Sequence, residues 1–154
     1  MEQAAKAVKP IPDGYRTITP YLIVDDVAPL IEFLQKVFDA KTLFSMSRPD
    51  GKIGHAEIEI GDSKIMIGSA MADWKALPSM IYLYMPDTDA TYKRALEAGA
   101  KSLMEPADQF YGDRNAGVQD SSGVTWWIAT HVEDVSPEEM KRRHDEHFSS
   151  GQCS

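Results

Sequence analysis

The 154-residue sequence contains a single cysteine, Cys153. An internal disulfide and a zinc site built from several cysteines are therefore excluded. The sequence also lacks a long apolar stretch, and its hydrophobic runs are too short to cross a bilayer. The first residues, MEQAAKAVKPIPDG, lack the apolar centre of a signal peptide. Together these absences predict a cytoplasmic protein.

Basic residues are in the minority, because 16 Lys and Arg stand against 24 Asp and Glu, for a formal net charge of -8. This balance argues against non-specific binding to nucleic acid or to an anionic membrane, so we expect neither as a partner. Hydrophobic residues make up 43% of the sequence and charged residues 26%, which is typical of a globular protein. The length suits one compact unit, or two very small ones that share a sheet.

One pattern of elements occurs twice in the sequence. Each copy reads as a strand, an amphipathic helix, a strand and a β-hairpin. LIVDD at 22–26 matches LYMPD 61 residues later, and AKTL at 40–43 matches AKSL 60 residues later. Several elements repeated in one order are a much stronger signal than one short match. The sequence therefore predicts an α+β fold of two tandem βαβββ modules.

The chain divides into three predicted parts. Residues 1–14 are an N-terminal arm, and residues 15–133 form one domain whose modules span 15–73 and 79–133. Residues 134–154 are a C-terminal helix and tail. Ser136 and Glu139 have the spacing of a capping box at the start of that helix. Asp25 or Asp26 is expected to cap the first helix.

Four segments carry a resemblance to a known family: TPYLIVDDVAPLIEFLQKVFDAK, GHAEIEIGDSKIMIG, DQFYGDR and GVQDSSGVTWWIATHVEDVSPEEM. They resemble the vicinal oxygen chelate (VOC) superfamily, which includes glyoxalase I, fosfomycin- and bleomycin-resistance proteins and extradiol dioxygenases. Within it, the PhnB-like, bleomycin-resistance-like branch is the most similar. The resemblance implies that each module curls its sheet into half of a cup. Helices cover the convex side, a small molecule occupies the concave side, and homodimers, some with exchanged modules, are common.

Alternation along the strands assigns side chains to the two sides of each sheet. In VTWWIATH at 124–131, Trp126 and Ile128 go to the helix side and Trp127 to the cup. Trp127 is therefore either a wall of the ligand site or a rim indole that packs on a partner subunit. The same reasoning directs further side chains into the cup, namely Thr19, Tyr21, Met66, Met80 and Tyr82.

The resemblance also implies where a metal would bind. The metal enzymes of the superfamily use His, Glu or Gln at four positions, which correspond here to Thr19, Met66 or Gly68, Met80 and Trp127. A hydroxyl, thioethers and an indole are poor ligands for a divalent cation of this kind. We therefore predict neither a metal nor another cofactor.

Polar groups remain at two places. His55 and Glu57 lie on one face of a strand, roughly 6 to 7 Å apart, where they could bind a polar ligand or act as acid and base. The alternative is a wet pair at the sheet edge. In DQFYGDR, Phe110 and Tyr111 offer planar surfaces, and Arg114 could hold a carboxylate or stack on a ring. The alternative for Asp113 and Arg114 is a loop-fixing ion pair.

The sequence favours a metal-free protein that binds a small, partly aromatic or apolar molecule, with sequestration of an antibiotic or metabolite as one use. The acidic balance suits a cationic ligand. A glyoxalase-type lyase or isomerase, or a related VOC enzyme acting on an oxygenated small molecule, is the alternative, and an interaction module without ligand is the third. No catalytic residue is assigned. The candidate ligand-binding residues are Thr19, Tyr21, His55, Glu57, Met66, Met80, Tyr82, Phe110, Tyr111, Arg114 and Trp127.

Overall fold

The computed structural model of the protein describes residues 7–151. Its strands are β1 (Tyr21–Val24), β2 (Lys41–Ser47), β3 (Ile53–Ile60), β4 (Ser63–Ser69), β5 (Met80–Tyr84), β6 (Lys101–Asp108), β7 (Asp113–Gln119) and β8 (Thr125–His131). Its helices are α1 (Val27–Phe38), α2 (Thr88–Glu97) and α3 (Pro137–Ser149). Cys153 lies outside the described residues.

The strands form two four-stranded mixed sheets with the same topology. The strand order is β1-β4-β3-β2 in the first sheet and β5-β8-β7-β6 in the second. In each sheet the first pair is parallel and the other pairs are antiparallel. The predicted α+β fold of two βαβββ modules is thereby confirmed. The residue limits of the domain and of its modules stay a prediction.

Helix α1 turns an apolar face to the first sheet, because its buried side chains recur at helical spacing. These are Val27, Leu30, Ile31, Phe33, Leu34, Val37 and Phe38. Asp26 stands at the N-cap, but its side chain makes no cap hydrogen bond. At the equivalent place before α2, the Asp87 carboxylate does accept from the amide of Ala90, at 3.0 Å.

The two modules share a core on their helix-covered sides. The Trp126 side chain is 0% exposed, and its ring centroid lies 5.3 Å from that of Phe38. The Trp126 indole N–H donates to Asp120 Oδ2 at 2.7 Å, so this large side chain is buried with its polar atom satisfied. Arg94 of α2 donates to the carbonyl of Val37 in α1 at 3.2 Å, which joins the two helices.

Helix α3 lies outside this core and has no buried residue. Ser136 caps it, as predicted, by accepting from the Glu139 amide at 3.2 Å. The Glu139 carboxylate binds Arg142 and Arg143. Arg143 also donates to Glu133 and to the carbonyl of Phe110, which fixes α3 against the loop before β7. Within residues 7–151, none of the helices is long and apolar enough to cross a membrane.

Candidate ligand-binding faces

Among residues 7–151, helices cover one side of each sheet and leave the other side free. We call the helix-free sides the first open face and the second open face. Side chains of the first open face are Tyr21, Phe44, Met46, His55, Glu57 and Met66, whereas those of the second are Met80, Tyr82, Tyr84, Asp113, Asn115, Trp127 and His131. The alternation predicted for β8 is confirmed, because Trp126 is in the core and Trp127 lies on the second open face.

On the first open face, Tyr21 crosses the neighbouring strand to reach β3. Gly68 of β4 lies below the phenol, and a Cβ placed at Gly68 would be 2.7 Å from Tyr21 Oη. Because Gly68 has no side chain, Tyr21 Oη comes within 3.1 Å of His55 Nδ1, and the two ring centroids are 5.7 Å apart. The structure thus brings two of the candidate residues into direct contact.

The end of the N-terminal arm and the residues that follow it towards β1 cover part of the first open face. The Tyr15 ring lies 4.8 Å from Lys64 Nζ, and its hydroxyl is buried without a hydrogen bond. Burial raises the pKa of Tyr15 to about 12, and the neighbouring Glu57 carboxylate adds to the rise. Two candidates, Thr19 and Met66, line a small pocket of about 270 Å³ beside the arm.

On the second open face, a buried carboxylate holds two tyrosines. Tyr82 Oη donates to Asp113 Oδ2 at 2.7 Å, and Tyr84 Oη donates to the same oxygen at 3.0 Å. Strand β8 separates the tyrosines in β5 from Asp113 in β7, so both rings pass over β8. Ala129 occupies β8 beside Tyr84 and is 0% exposed, which indicates that the rings cover this small side chain.

His131 completes the environment of Asp113. Its Nδ1 lies 2.9 Å from Asp113 Oδ1, and its Nε2 lies 2.7 Å from Asp134 Oδ1. The hydrogen bond to Asp113, followed by that to Asp134, raises the pKa of His131 above 6.5. Burial works to raise the pKa of Asp113, but the hydrogen bonds from Tyr82, His131 and Tyr84 outweigh it and keep that pKa below 3.8. Asp113 is therefore an ionised, buried carboxylate at neutral pH.

A chain of amides extends this network to the loop before β7. Asn115 Nδ2 donates to Tyr82 Oη at 3.3 Å and to Tyr111 Oη at 2.7 Å. Gln109 Nε2 donates to Asn115 Oδ1 at 3.0 Å. Sequence reasoning placed Tyr82 and Tyr111 at the site but missed Asn115, Asp113 and His131. Period-two alternation from Trp127 through its partner Gly117 would have directed residues 113 and 115 of β7 to the same face.

Trp127 lies flat across a glycine of the adjacent strand. A Cβ placed at Gly117 would be 2.5 to 2.9 Å from three atoms of the Trp127 six-membered ring. The indole N–H is 3.2 Å from the sulfur of Met80. Gly117 thus provides the space in which Trp127 packs, and Met80 orients its polar atom.

Two candidates of the DQFYGDR segment lie away from the open faces. Arg114 is on the helix side, where it makes ion pairs with Asp89 of α2 at 2.6 Å and with Asp108 at 3.2 Å. The alternative of a loop-fixing ion pair is therefore confirmed for Arg114, because Asp108 and Arg114 stand at the two ends of the DQFYGDR segment. Asp113 and Arg114 do not pair with one another, since successive residues of β7 point to opposite sides of the sheet. Phe110 packs against α3, with its ring centroid 5.2 Å from that of His147.

The side chains at the four positions where the superfamily resemblance places metal ligands do not come together around one point. Thr19 and Met66 lie beside the arm, whereas Met80 and Trp127 contact one another on the second sheet. An indole N–H is a donor only and cannot ligate a cation. In the described part of the chain, no group of three or more His, Cys, Asp or Glu side chains is placed to hold a metal ion. These residues do not fit the metal of the superfamily.

A larger cleft of about 800 Å³ joins the two modules along strand β5. Thr19 and Tyr15 line it from the first module, and Tyr82 and Tyr84 line it from the second. Thr19 and Tyr82, which the sequence assigned to one site, are therefore brought to one cleft within a single chain. Residues of the helix-covered sides, among them Phe38, Leu83 and Trp126, line the same cleft, which therefore runs along the free edge of β5.

Comparison with known proteins identifies the family to which this chain is similar. The model of the Glyoxalase/Bleomycin resistance protein/Dioxygenase superfamily matches residues 16–128. An uncharacterized protein of Mycobacterium tuberculosis (strain ATCC 25618 / H37Rv), Rv0887c, is 35% identical over 135 residues, which cover 80% of this chain and 79% of that protein.

Two solved structures are similar in fold. TioX from Micromonospora sp. ML1 has a TM-score of 0.65 at 21% identity, covering 76% of this chain and 99% of that chain. The fosfomycin resistance protein FosX from Listeria monocytogenes, complexed with Mn(II) and sulfate ion, has a TM-score of 0.60 at 19% identity. That match covers 84% of this chain and 97% of the FosX chain. At these identities the likeness concerns the fold alone.

Proposed function

The chain belongs to the Glyoxalase/Bleomycin resistance protein/Dioxygenase superfamily, and from that premise we propose that it binds a small, partly aromatic or apolar molecule on its open faces without a metal ion. Its use would be sequestration of an antibiotic or a metabolite in the cytoplasm. We also propose that it stands in the PhnB-like branch of the superfamily. Arg114 is left out of this site, because its ion pairs lie on the helix side.

One observation carries the proposal: both open faces present large apolar side chains to solvent. Met80 is 65% exposed and Tyr84 63%, and Met46, Tyr21, Phe44 and Tyr82 are each more than 40% exposed. Contiguous apolar surface of this kind marks a site for a ligand or another protein chain. Rings that stack and methionines that adapt in shape suit a flat, partly apolar molecule.

The same exposure supports a homodimer. Open faces of two chains that meet would cover these apolar side chains and enclose a ligand between two half-cups. The expected mass is then twice the 17.1 kDa of the chain. Light scattering coupled to size exclusion measures this mass, and a monomer at micromolar concentration would contradict this part of the proposal.

A glyoxalase-type lyase or isomerase remains the competing function. An enzyme of that type uses its metal ion to stabilise an oxyanion, and the residues at the four metal positions do not fit such an ion. Metal analysis of the purified protein separates the two functions. We expect no stoichiometric divalent ion after purification without chelator, whereas about one bound ion per chain would favour the enzyme.

Ligand binding is tested by tryptophan fluorescence in a screen of aromatic and partly apolar compounds. Trp127 lies on the second open face, so a bound ligand should change its emission, and Trp127→Phe should lose that change. Trp74→Phe is the matched control, because Trp74 is an exposed residue of the connection between β4 and β5. A full screen without any response from the wild-type protein would contradict the binding function.

A further inference from the structure

The hydrogen bonds of the second open face have a fixed direction. An ionised carboxylate accepts hydrogen bonds and donates none, so the hydroxyl hydrogens of Tyr82 and Tyr84 are both committed to Asp113. Tyr82 Oη additionally accepts from Asn115 Nδ2 at 3.3 Å. Among residues 7–151, Tyr84 Oη has no donor directed to it. Tyr84 therefore offers a ligand a lone pair and no hydrogen.

The aromatic rings favour the same kind of ligand. A phenol that donates to a charged acceptor is polarised, and its oxygen and ring become richer in electrons. Such a ring attracts a cation over its face. The centroids of Tyr82 and Tyr84 are 5.5 Å apart with an interplanar angle of 67°, so the two rings form adjoining walls of one corner.

From this arrangement we infer that Tyr82, Tyr84 and Asp113 form a subsite for an organic ammonium group of the ligand. The inference rests on the proposed binding function and specifies the chemistry of one end of the ligand. The ammonium would donate to Tyr84 Oη and contact both ring faces. Asp113, which is 4% exposed, would act through the two phenols and not by direct contact.

The other charges around the corner formed by Tyr82 and Tyr84 do not reverse its preference for a cation. His131 binds Asp113 Oδ1, on the other carboxylate oxygen, and is flanked in turn by Asp134. One imidazolium between two carboxylates leaves the group with a net negative charge. Charged residues that line the cleft beside β5 are balanced in sign, with Asp39, Glu59 and Asp62 against Arg16, Lys41 and Lys64. The charge of Asp113 therefore decides the selectivity.

The experiment compares two probes that differ only in the group presented to the tyrosines, benzylammonium chloride and benzyl alcohol. Both are titrated into the wild-type protein at pH 7 and constant ionic strength, with the indole ¹H–¹⁵N signal of Trp127 as the readout. We expect the cation to bind about tenfold more tightly, which corresponds to about 1.4 kcal/mol.

Two variants test the origin of the preference. Asp113→Asn removes the charge, and Tyr84→Phe removes the acceptor while it retains the ring, so each should bring the ratio of the two affinities close to one. Tyr92→Phe is the control, and it should keep the preference for the cation. Tyr92 belongs to α2, away from the open faces, and its hydroxyl donates to Ser102 at 2.7 Å. Thermal unfolding of each variant verifies folding, and Tyr84→Phe decides the question if Asp113→Asn fails to fold.

Three results would overturn the inference. They are equal or tighter binding of benzyl alcohol to the wild type, a preference that survives in both folded variants, and no response to benzylammonium at all. In the first two cases the proposed binding function stands, because a probe still shifts the Trp127 indole signal of the wild-type protein. Failure of the function itself is recognised separately, by the absence of any ligand in the broad screen.

Discussion

Substituting Gly117 by alanine should displace Trp127 from its place on the second open face. The new Cβ would lie 2.5, 2.7 and 2.9 Å from three atoms of the indole, whereas ordinary contacts begin near 3.4 Å. The indole cannot yield freely, because its N–H is held at 3.2 Å from the Met80 sulfur. Overpacking of this kind costs about 1–3 kcal/mol.

The matched control is Gly54→Ala, in strand β3. There the new Cβ would meet the flexible side chain of Arg48, at 2.8 Å from Cγ, and this side chain can move aside. Both substitutions reduce the entropy of the unfolded chain by the same amount, worth about 0.4–1 kcal/mol in favour of folding. The difference between the two variants therefore isolates the clash with Trp127.

Urea unfolding with linear extrapolation measures that difference. We expect Gly117→Ala to be less stable than Gly54→Ala by about 1–3 kcal/mol, with altered Trp127 emission and weaker ligand binding. Equal stabilities within about 0.5 kcal/mol would refute the packing of Trp127 on Gly117.

Two further predictions concern buried carboxylates. Asp120 is buried and accepts from the amides of Ser122 and Val124 and from the Trp126 indole, so Asp120→Ala should lower the free energy of unfolding by about 2–5 kcal/mol in urea titrations. A loss below about 1 kcal/mol would contradict this role. In the folded state the pKa of His131 is raised above 6.5. The protonated His131 therefore stabilises the fold fully when the pH is below the pKa of histidine in the unfolded chain, and this stabilisation is lost as the pH rises through the pKa of His131 in the folded protein. The stability difference between wild type and His131→Gln should therefore shrink above pH 6.5, and the His131 ring signals should titrate with a midpoint above 6.5; a midpoint at or below it would show that the bond to Asp113 does not persist in solution.

The sides of the strands could be read from the sequence because alternation is a local property. The prediction separated Trp126 from Trp127 correctly, since each strand residue faces opposite to its neighbour whatever the fold around it. Alternation fails where a strand is irregular. In β2 the register shifts between Thr42 and Phe44, and for this reason Phe44 and Met46 of the first open face could not be assigned by counting.

The polar network could not be predicted in the same way, because it depends on contacts between residues distant in sequence. Tyr84 and Asp113 are 29 residues apart and meet only because β8 lies between β5 and β7. The approach also needs a small residue at the crossing. Alternation places Ala129 on the same face as Trp127, but nothing in the local pattern shows that two tyrosines of β5 pass over it. For Arg114 the sequence leaves a ligand contact and a loop-fixing ion pair open, and only the orientation of this residue towards α2 decides for the ion pair.

The two modules of the repeat share one arrangement of side chains but differ in the polar groups that this arrangement contains. Tyr82 follows Tyr21 by 61 residues, Ala129 follows Gly68 by 61, and Asn115 follows His55 by 60. In both modules a tyrosine of the first strand therefore crosses a small residue of the last strand to reach a polar side chain of the third. Only the second module adds a buried carboxylate, Asp113, to that crossing. A ligand enclosed between a first and a second open face would meet different chemistry at its two ends, and this asymmetry would fix its orientation.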